Sequence, residues 1–68
     1  MKRLSCAEMM RLLERRGWSL IRRGKHRVYG KPGIARTISV PDHGNKTLAP
    51  GTQKSIMRVS GLTEADLS

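Results

Sequence analysis

A histidine surrounded by basic residues is the most chemically suggestive feature of this sequence. His26 lies in the stretch 22–29 (RRGKHRVY), and no acidic residue occurs between Glu14 and Asp42. Neighbouring cations disfavour a protonated imidazole, which suits a general base better than a structural cation. The competing interpretation is a solvated basic loop in which His26 has no chemical role.

Several other side chains are candidates for contact with a substrate. The candidate phosphate contacts are cations near His26 or in the second half of the chain: Arg23, Lys25, Arg27, Lys46 and Lys54. Cations make many of the backbone contacts to nucleic acids, although each of these five is also interpretable as a solvated surface charge. Lys54 lies near a predicted helix N-terminus, where anions are favoured.

His43 and Tyr29 each have two interpretations. His43 lies in a polar loop and either donates a proton to a leaving oxygen or contacts backbone, RNA or a protein partner without a catalytic role. Tyr29 either stacks on a nucleobase or packs at the edge of the core. The sequence leaves both pairs of alternatives open.

These residue types suffice for cleavage of RNA without a metal ion. The acidic residues are scattered and one cysteine is present, so neither a metal site nor a cofactor is expected. RNA carries its own nucleophile, the ribose 2′-hydroxyl, so a base need only remove its proton while cations stabilise the charge on the phosphate. DNA lacks this hydroxyl and would bind without being cut.

Size and charge restrict the class of protein. The chain has 68 residues with 14 Lys and Arg against 5 Asp and Glu, a formal net charge of +9. A chain of this length makes one domain with a small core, here residues 1–68. The electrostatic field of this positive chain favours the binding of polyanions: RNA, DNA or an acidic protein. No apolar run is long enough to span a membrane and no signal-peptide pattern is present, so we expect a cytoplasmic protein.

The elements that must position His26 begin with an amphipathic helix. Ser5 and Glu8 have the spacing of a capping box that starts a helix over about 6–16, and Gly17 supplies a residue that ends it. Helical spacing predicts an apolar face. That face consists of Cys6, Met9, Met10 and Leu13, with Leu12 on its border.

Three strands are predicted next, over 18–23, 26–31 and 34–40, because β-branched and aromatic residues become frequent. Gly24 and Lys25 form the first turn, and Pro32 and Gly33 have the residue types of the second. In the third strand, apolar and polar residues alternate. Its apolar side carries Ile34, Ile38 and Val40, and its solvent-facing side carries Thr37 and Ser39.

The chain is predicted to end with a second helix and a frayed tail. Thr52 is expected to cap a helix over about 53–60 that ends at Gly61, and residues 63–68 form the tail. Its candidate buried positions are Ile56, Met57 and Val59, with Leu62 folding back onto the last turn. The order predicts an α+β fold in which both helices cover one face of a three-stranded antiparallel sheet.

The chain resembles the HicA family of toxin ribonucleases, the partners of HicB antitoxins, over about residues 5–62. The family pattern is a first helix ending in Gly-aromatic, a Gly-x-His followed by an aromatic, a Val-Pro after the third strand, a Pro-Gly-Thr at the last helix and a closing Gly-Leu. Here these segments are Gly17-Trp18, Gly24-Lys25-His26 with Tyr29, Val40-Pro41-Asp42-His43, Pro50-Gly51-Thr52 with Ser55-Ile56, and Gly61-Leu62.

The resemblance implies a fold like the double-stranded RNA-binding domain and metal-independent cleavage of messenger RNA. It implies that His26 is the catalytic residue and that a HicB-type antitoxin neutralises the protein by covering His26 and the basic surface. Many members have Ser or Gly before this histidine, where this chain has Lys25. Lysine at that position has the chemistry of a phosphate contact.

A second class of function uses the same residues without catalysis. A fold of this kind recognises double-stranded RNA through shape and backbone contacts and needs no histidine base. The alternative to a ribonuclease is therefore a non-catalytic RNA-binding module. The two differ in whether replacing His26 abolishes RNA cleavage while RNA binding persists.

Overall fold

The computed structural model describes residues 1–67 and has the predicted α+β architecture. Two helices pack on one face of a three-stranded antiparallel sheet whose strand order is β1-β2-β3. The elements in chain order are α1 (Cys6–Arg15), β1 (Ser19–Arg22), β2 (His26–Lys31), β3 (Ile34–Pro41), α2 (Pro50–Ser60) and a 3-10 helix (Glu64–Leu67). No helix within residues 1–67 is long and apolar enough to cross a membrane.

Helix α1 starts as its capping residues predict. The amide of Glu8 donates to Ser5 Oγ at 3.1 Å, and the amide of Ser5 donates to Glu8 Oε1 at 2.9 Å. These hydrogen bonds satisfy donors that a helix start leaves without partners. The bond from the Ser5 amide to the carboxylate also lowers the pKa of Glu8. The helix buries Cys6, Met9, Met10, Leu12 and Leu13, so the predicted apolar face is confirmed and extends to its border residue.

The sheet has one buried and one open face. Tyr29, Ile38 and Val40 point into the core, while Thr37 and Ser39 on the open face are exposed. Ile34 was expected on the apolar side, but it is 42% exposed at the first position of β3, next to the Pro32-Gly33 turn. The strand ends at Pro41, which pairs with His26 across the sheet.

Residues 42–49 form a loop that is bonded to the start of α1. The amides of Cys6 and Ala7 donate to the carbonyls of Lys46 and Gly44, each at 2.9 Å. The amide of Leu48 donates to the carbonyl of Leu4, also at 2.9 Å. The loop therefore has a defined course, although its composition is that of a polar connection.

Helix α2 begins three residues earlier than the sequence indicates. Pro50 occupies its first turn and Ala49 is the N-cap, so Thr52 lies inside the helix and its assignment as the cap was wrong. Proline suits this position because its missing amide would have had no partner there. Gly61, with φ +76°, ends the helix as predicted, and Leu62 is buried.

A buried glutamine connects α2 to the beginning of the chain. Gln53 is fully buried; its Oε1 accepts from the amide of Leu4 at 3.0 Å, and its Nε2 donates to the carbonyl of Lys2 at 2.7 Å. A buried amide is stable in a core only when both ends find partners. Gln53 meets this condition by holding the backbone that leads into α1.

The predicted frayed tail is ordered over the residues that the structure describes. Residues 64–67 form a 3-10 helix, and Leu67 is only 5% exposed because it packs into the core. The amide of Thr63 donates to Asp66 Oδ2 at 2.8 Å, and Asp66 also pairs with Arg16. These bonds, the Thr63 amide foremost, lower the pKa of Asp66. Ser68, the last residue of the predicted tail, lies outside the described residues.

Replacing Gln53 by alanine tests the connection between α2 and residues 2–4. Gln53→Ala leaves a buried amide and a carbonyl without their partners, so we expect the free energy of unfolding to fall by about 1–3 kcal/mol. Urea denaturation measures this change. Lys54→Ala, an exposed neighbour on the same helix, is the control and should change the value by less than about 0.5 kcal/mol. Equal effects of the two substitutions would contradict the assignment.

Truncating Leu67 tests whether the C-terminal turn belongs to the core. Leu67→Ala removes buried methyl groups and should lower the free energy of unfolding by about 2 kcal/mol or more. Ile21→Ala is the matched aliphatic control, because Ile21 is 60% exposed. Thermal denaturation of the two variants distinguishes a packed C-terminal turn from a frayed tail. If the tail were frayed, Leu67→Ala would be as stable as the Ile21→Ala control.

Candidate active site

His26 occupies one end of the sheet. It is the first residue of β2, its side chain is exposed, and its partner across the sheet is Pro41, the last residue of β3. The amide of Asp42 donates to the carbonyl of Lys25 at 3.3 Å, which extends the pairing one residue beyond the strands. The backbone on both sides of His26 is therefore held by the neighbouring strand.

One surface depression lies between His26 and the turn that joins β1 to β2, and we call it the turn depression. Its volume is about 440 Å³. It is lined by Arg22, Arg23, Gly24, Lys25, His26, Val28 and Ser39. It brings two of the predicted phosphate contacts, Arg23 and Lys25, beside His26. It also contains Arg22, a cation of the same basic stretch that was not among the predicted phosphate contacts.

A second depression lies between His26 and residues 42–49, and we call it the loop depression. Its volume is about 310 Å³. Its lining consists of Cys6, His26, Pro41, His43, Lys46, Thr47, Leu48, Ala49 and Thr52. The two histidines, which are 17 positions apart in the chain, thus line one cavity together with Lys46. His26 belongs to both depressions and is the residue at which they meet.

The loop that carries His43 and Lys46 is constrained by its own hydrogen bonds. The amide of Lys46 donates to the carbonyl of His43 at 3.1 Å, closing a turn. Gly44 within this turn has φ +58°, a left-handed conformation that glycine adopts without strain. Together with the bonds from the start of α1, this turn fixes the backbone from which both side chains project.

The start of α2 forms a further wall of the loop depression. Thr52, in the first turn of α2, lines the depression, and the N-cap Ala49 provides no side-chain hydrogen bond to this turn. The first turn of a helix presents amide groups that no intrahelical carbonyl accepts from, and it attracts anions. The loop depression is therefore bounded by a lysine, two histidines and the positive end of a helix.

Arg27 and Lys54 lie outside both depressions. Arg27 is half-buried, and its Nε donates to Asp42 Oδ2 at 3.2 Å in an ion pair. This pair links β2 to the residue after β3, next to His26 and Pro41. Lys54 is exposed on α2 and lines neither depression. Of the five predicted phosphate contacts, the structure groups three with His26 and leaves these two apart.

Tyr29 belongs to the core, so its interpretation as a base-stacking residue was wrong. Its side chain is 1% exposed because β2 directs it toward the helices. Desolvation by burial, with the charge of Glu14 adding to it, raises the pKa of Tyr29 above its ordinary value. The ring has no exposed face for a nucleobase.

Comparison with known proteins assigns the family. The family model described as "HicA toxin of bacterial toxin-antitoxin" matches residues 6–62, more than four fifths of the chain. A search of curated proteins found no match. The matched segment contains α1, all three strands, α2 and both depressions' lining residues. The chain therefore belongs to the HicA family of toxins from bacterial toxin–antitoxin systems.

Proposed function

We propose that this toxin is a metal-independent endoribonuclease that cleaves messenger RNA, with His26 as its catalytic base. The observation that carries the proposal is the position of His26: it is exposed at the junction of two depressions that contribute cations from both sides. Membership of the HicA family makes the protein the toxin of a toxin–antitoxin pair. The choice of messenger RNA as the substrate follows the resemblance to ribonucleases of that family.

His26 acts on the nucleophile that RNA provides. An imidazole nitrogen of His26 accepts the proton of a ribose 2′-hydroxyl, and the resulting oxygen attacks the adjacent phosphorus. Negative charge then grows on the non-bridging phosphate oxygens, which nearby cations stabilise. A protein that cleaves RNA in this way needs positioned side chains, and its own residues supply both the base and the cations.

The cations of the two depressions are proposed to hold the RNA backbone across His26. Arg23 and Lys25 lie on the side of the turn depression, and Lys46 lies on the side of the loop depression. An RNA strand that passes over His26 would have a phosphate on each side of the cleaved bond within reach of a cation. Arg27, which is paired with Asp42, is assigned instead to holding the end of the sheet beside His26.

The antitoxin is proposed to be a HicB-type protein that binds the same surface. With a formal net charge of +9, the toxin favours an acidic partner over one of its own sign. A partner covering His26 and the cations around it would exclude RNA from the site. Inhibition and substrate binding are then mutually exclusive because both use one surface.

Replacing His26 tests the proposed catalysis. Purified protein is incubated with a long single-stranded RNA in excess chelator, and His26→Ala is run beside it. We expect the wild type to cut and the variant to lose at least about 10²–10⁴-fold in rate, the usual contribution of a positioned acid–base group. Binding of the same RNA at low salt should stay within a few-fold, because the cations proposed to contact phosphate are unchanged.

The matched control for this experiment is Arg58→Ala, which removes an exposed cation outside both depressions. This variant should cut at the wild-type rate. If neither wild type nor His26→Ala cuts RNA while both bind it, the protein is an RNA-binding module and the ribonuclease proposal is overturned.

Replacing Lys46 tests the proposed backbone contacts. Each phosphate contact to a single strand contributes about 0.7 to the slope of log affinity against log salt concentration. Lys46→Ala should therefore weaken RNA binding at low salt and reduce this slope by about 0.7. A salt titration followed by fluorescence anisotropy measures both, with Arg58→Ala as the control of equal charge change. Identical slopes for the two variants would show that Lys46 does not contact phosphate.

A further inference from the structure

We propose that His43 is a second catalytic residue, the general acid that protonates the leaving 5′-oxygen. The inference rests on the proposed ribonuclease function and extends it from one residue to a pair. It starts from the observation that His26 and His43 line the same depression although they come from different elements. One histidine is supplied by the first position of β2 and the other by the loop after β3.

The approach of the two histidines is a consequence of the sheet register. His26 pairs with Pro41, and His43 follows Pro41 by two residues. The chain then turns through Gly44 and is held by the start of α1, so the His43 backbone does not extend away from the sheet. Paired acid–base catalysis requires first that both groups can reach one substrate, and two histidines that line one cavity on hydrogen-bonded backbone are placed for this.

Neither imidazole has a structural task within the described residues. Among residues 1–67, the side chains of His26 and His43 make no hydrogen bond or ion pair with another residue. This excludes the interpretation of His43 as a histidine that supports the loop backbone through its ring. Both side chains are exposed, so a bound phosphodiester can reach them.

The charges around His43 suit an acid that works on a phosphate. Lys46 and the first turn of α2 border the same cavity, and both attract the anionic group that His43 must reach. Asp42 precedes His43 in the chain, but its carboxylate is engaged by Arg27. The Asp42 carboxylate is thus paired with Arg27, and the anion proposed to interact with His43 is the substrate phosphate.

The step balances with the two histidines and the substrate alone. The 2′-hydroxyl loses its proton to neutral His26, the bond from the 2′-oxygen to phosphorus forms, and the bond from phosphorus to the 5′-oxygen breaks. Protonated His43 gives its proton to that 5′-oxygen as it leaves. The products are a 2′,3′-cyclic phosphate and a 5′-hydroxyl, while His26 ends protonated and His43 neutral. Proton exchange with water restores both.

A substrate with an altered leaving atom isolates the role of an acid from that of a base. An RNA oligonucleotide is prepared with either the natural oxygen or a sulfur at the 5′-bridging position of one linkage. A thiolate leaves without being protonated, whereas an alkoxide needs a proton. Wild type, His26→Ala, His43→Ala, His43→Gln and Asn45→Ala are compared at that linkage by single-turnover cleavage in excess chelator. Asn45 is an exposed neighbour in the same loop and serves as the control.

We expect His43→Ala and His43→Gln to slow the oxygen substrate by about 10²–10⁴-fold and to cut the sulfur substrate within a few-fold of the wild type. His26→Ala should be slow on both substrates, and Asn45→Ala normal on both. The thermal denaturation midpoint of each variant checks that it is folded.

Two results would overturn the assignment of His43. Equal loss on both substrates would make His43 a binding or positioning residue, and wild-type rates on both would leave it no role in the reaction. In either case His26→Ala still reports on the ribonuclease proposal. If the wild type itself cuts neither substrate, the ribonuclease proposal fails and the general-acid assignment falls with it.

Discussion

The bonding between the start of α1 and the loop after β3 is the interaction on which the site depends. A helix start leaves amide groups without intrahelical acceptors, and a polar loop leaves carbonyls without donors. Here each set satisfies the other, since Cys6 and Ala7 donate to Lys46 and Gly44. One group of hydrogen bonds therefore completes the helix and fixes the loop that forms half of the cavity beside His26.

Most of the acidic side chains of this basic protein make structural contacts. Glu8 closes the start of α1, Asp42 pairs with Arg27, and Asp66 pairs with Arg16 while accepting from Thr63. None of these three carboxylates lines either depression. The cations beside His26 consequently keep their charge available for a polyanion. The ion pairs elsewhere reduce the repulsion between like charges in a chain of net charge +9.

Local patterns predicted the elements well, and what they missed depends on contacts between distant residues. The capping box, the turn glycines and the apolar face of α1 are all encoded within a few positions.

The neighbourhood of His43 depends instead on the register of the sheet. Counting back from the Lys31–Ile34 pair would set His26 opposite Ser39, but an irregularity between Tyr29 and Lys31 shifts the partner to Pro41. That shift carries His43 to the cavity. Gln53 was missed because its hydrogen-bond partners lie 49 and 51 positions away in the chain. Leu67 was missed because its burial depends on the assembled core.

The hydrogen bond between Gln53 and Leu4 spans 49 positions and has a consequence for folding cooperativity. Leu4 also accepts from Leu48, and the residues after Leu4 hold the loop beside His26. Loss of the α2 contact would thus remove support from the N-terminal segment, which holds the loop and with it one wall of the cavity. Because the Gln53–Leu4 contact closes a loop of 49 positions, which costs chain entropy, we expect the cavity to form together with the core. A partly folded chain would contain both histidines without the geometry that brings them together.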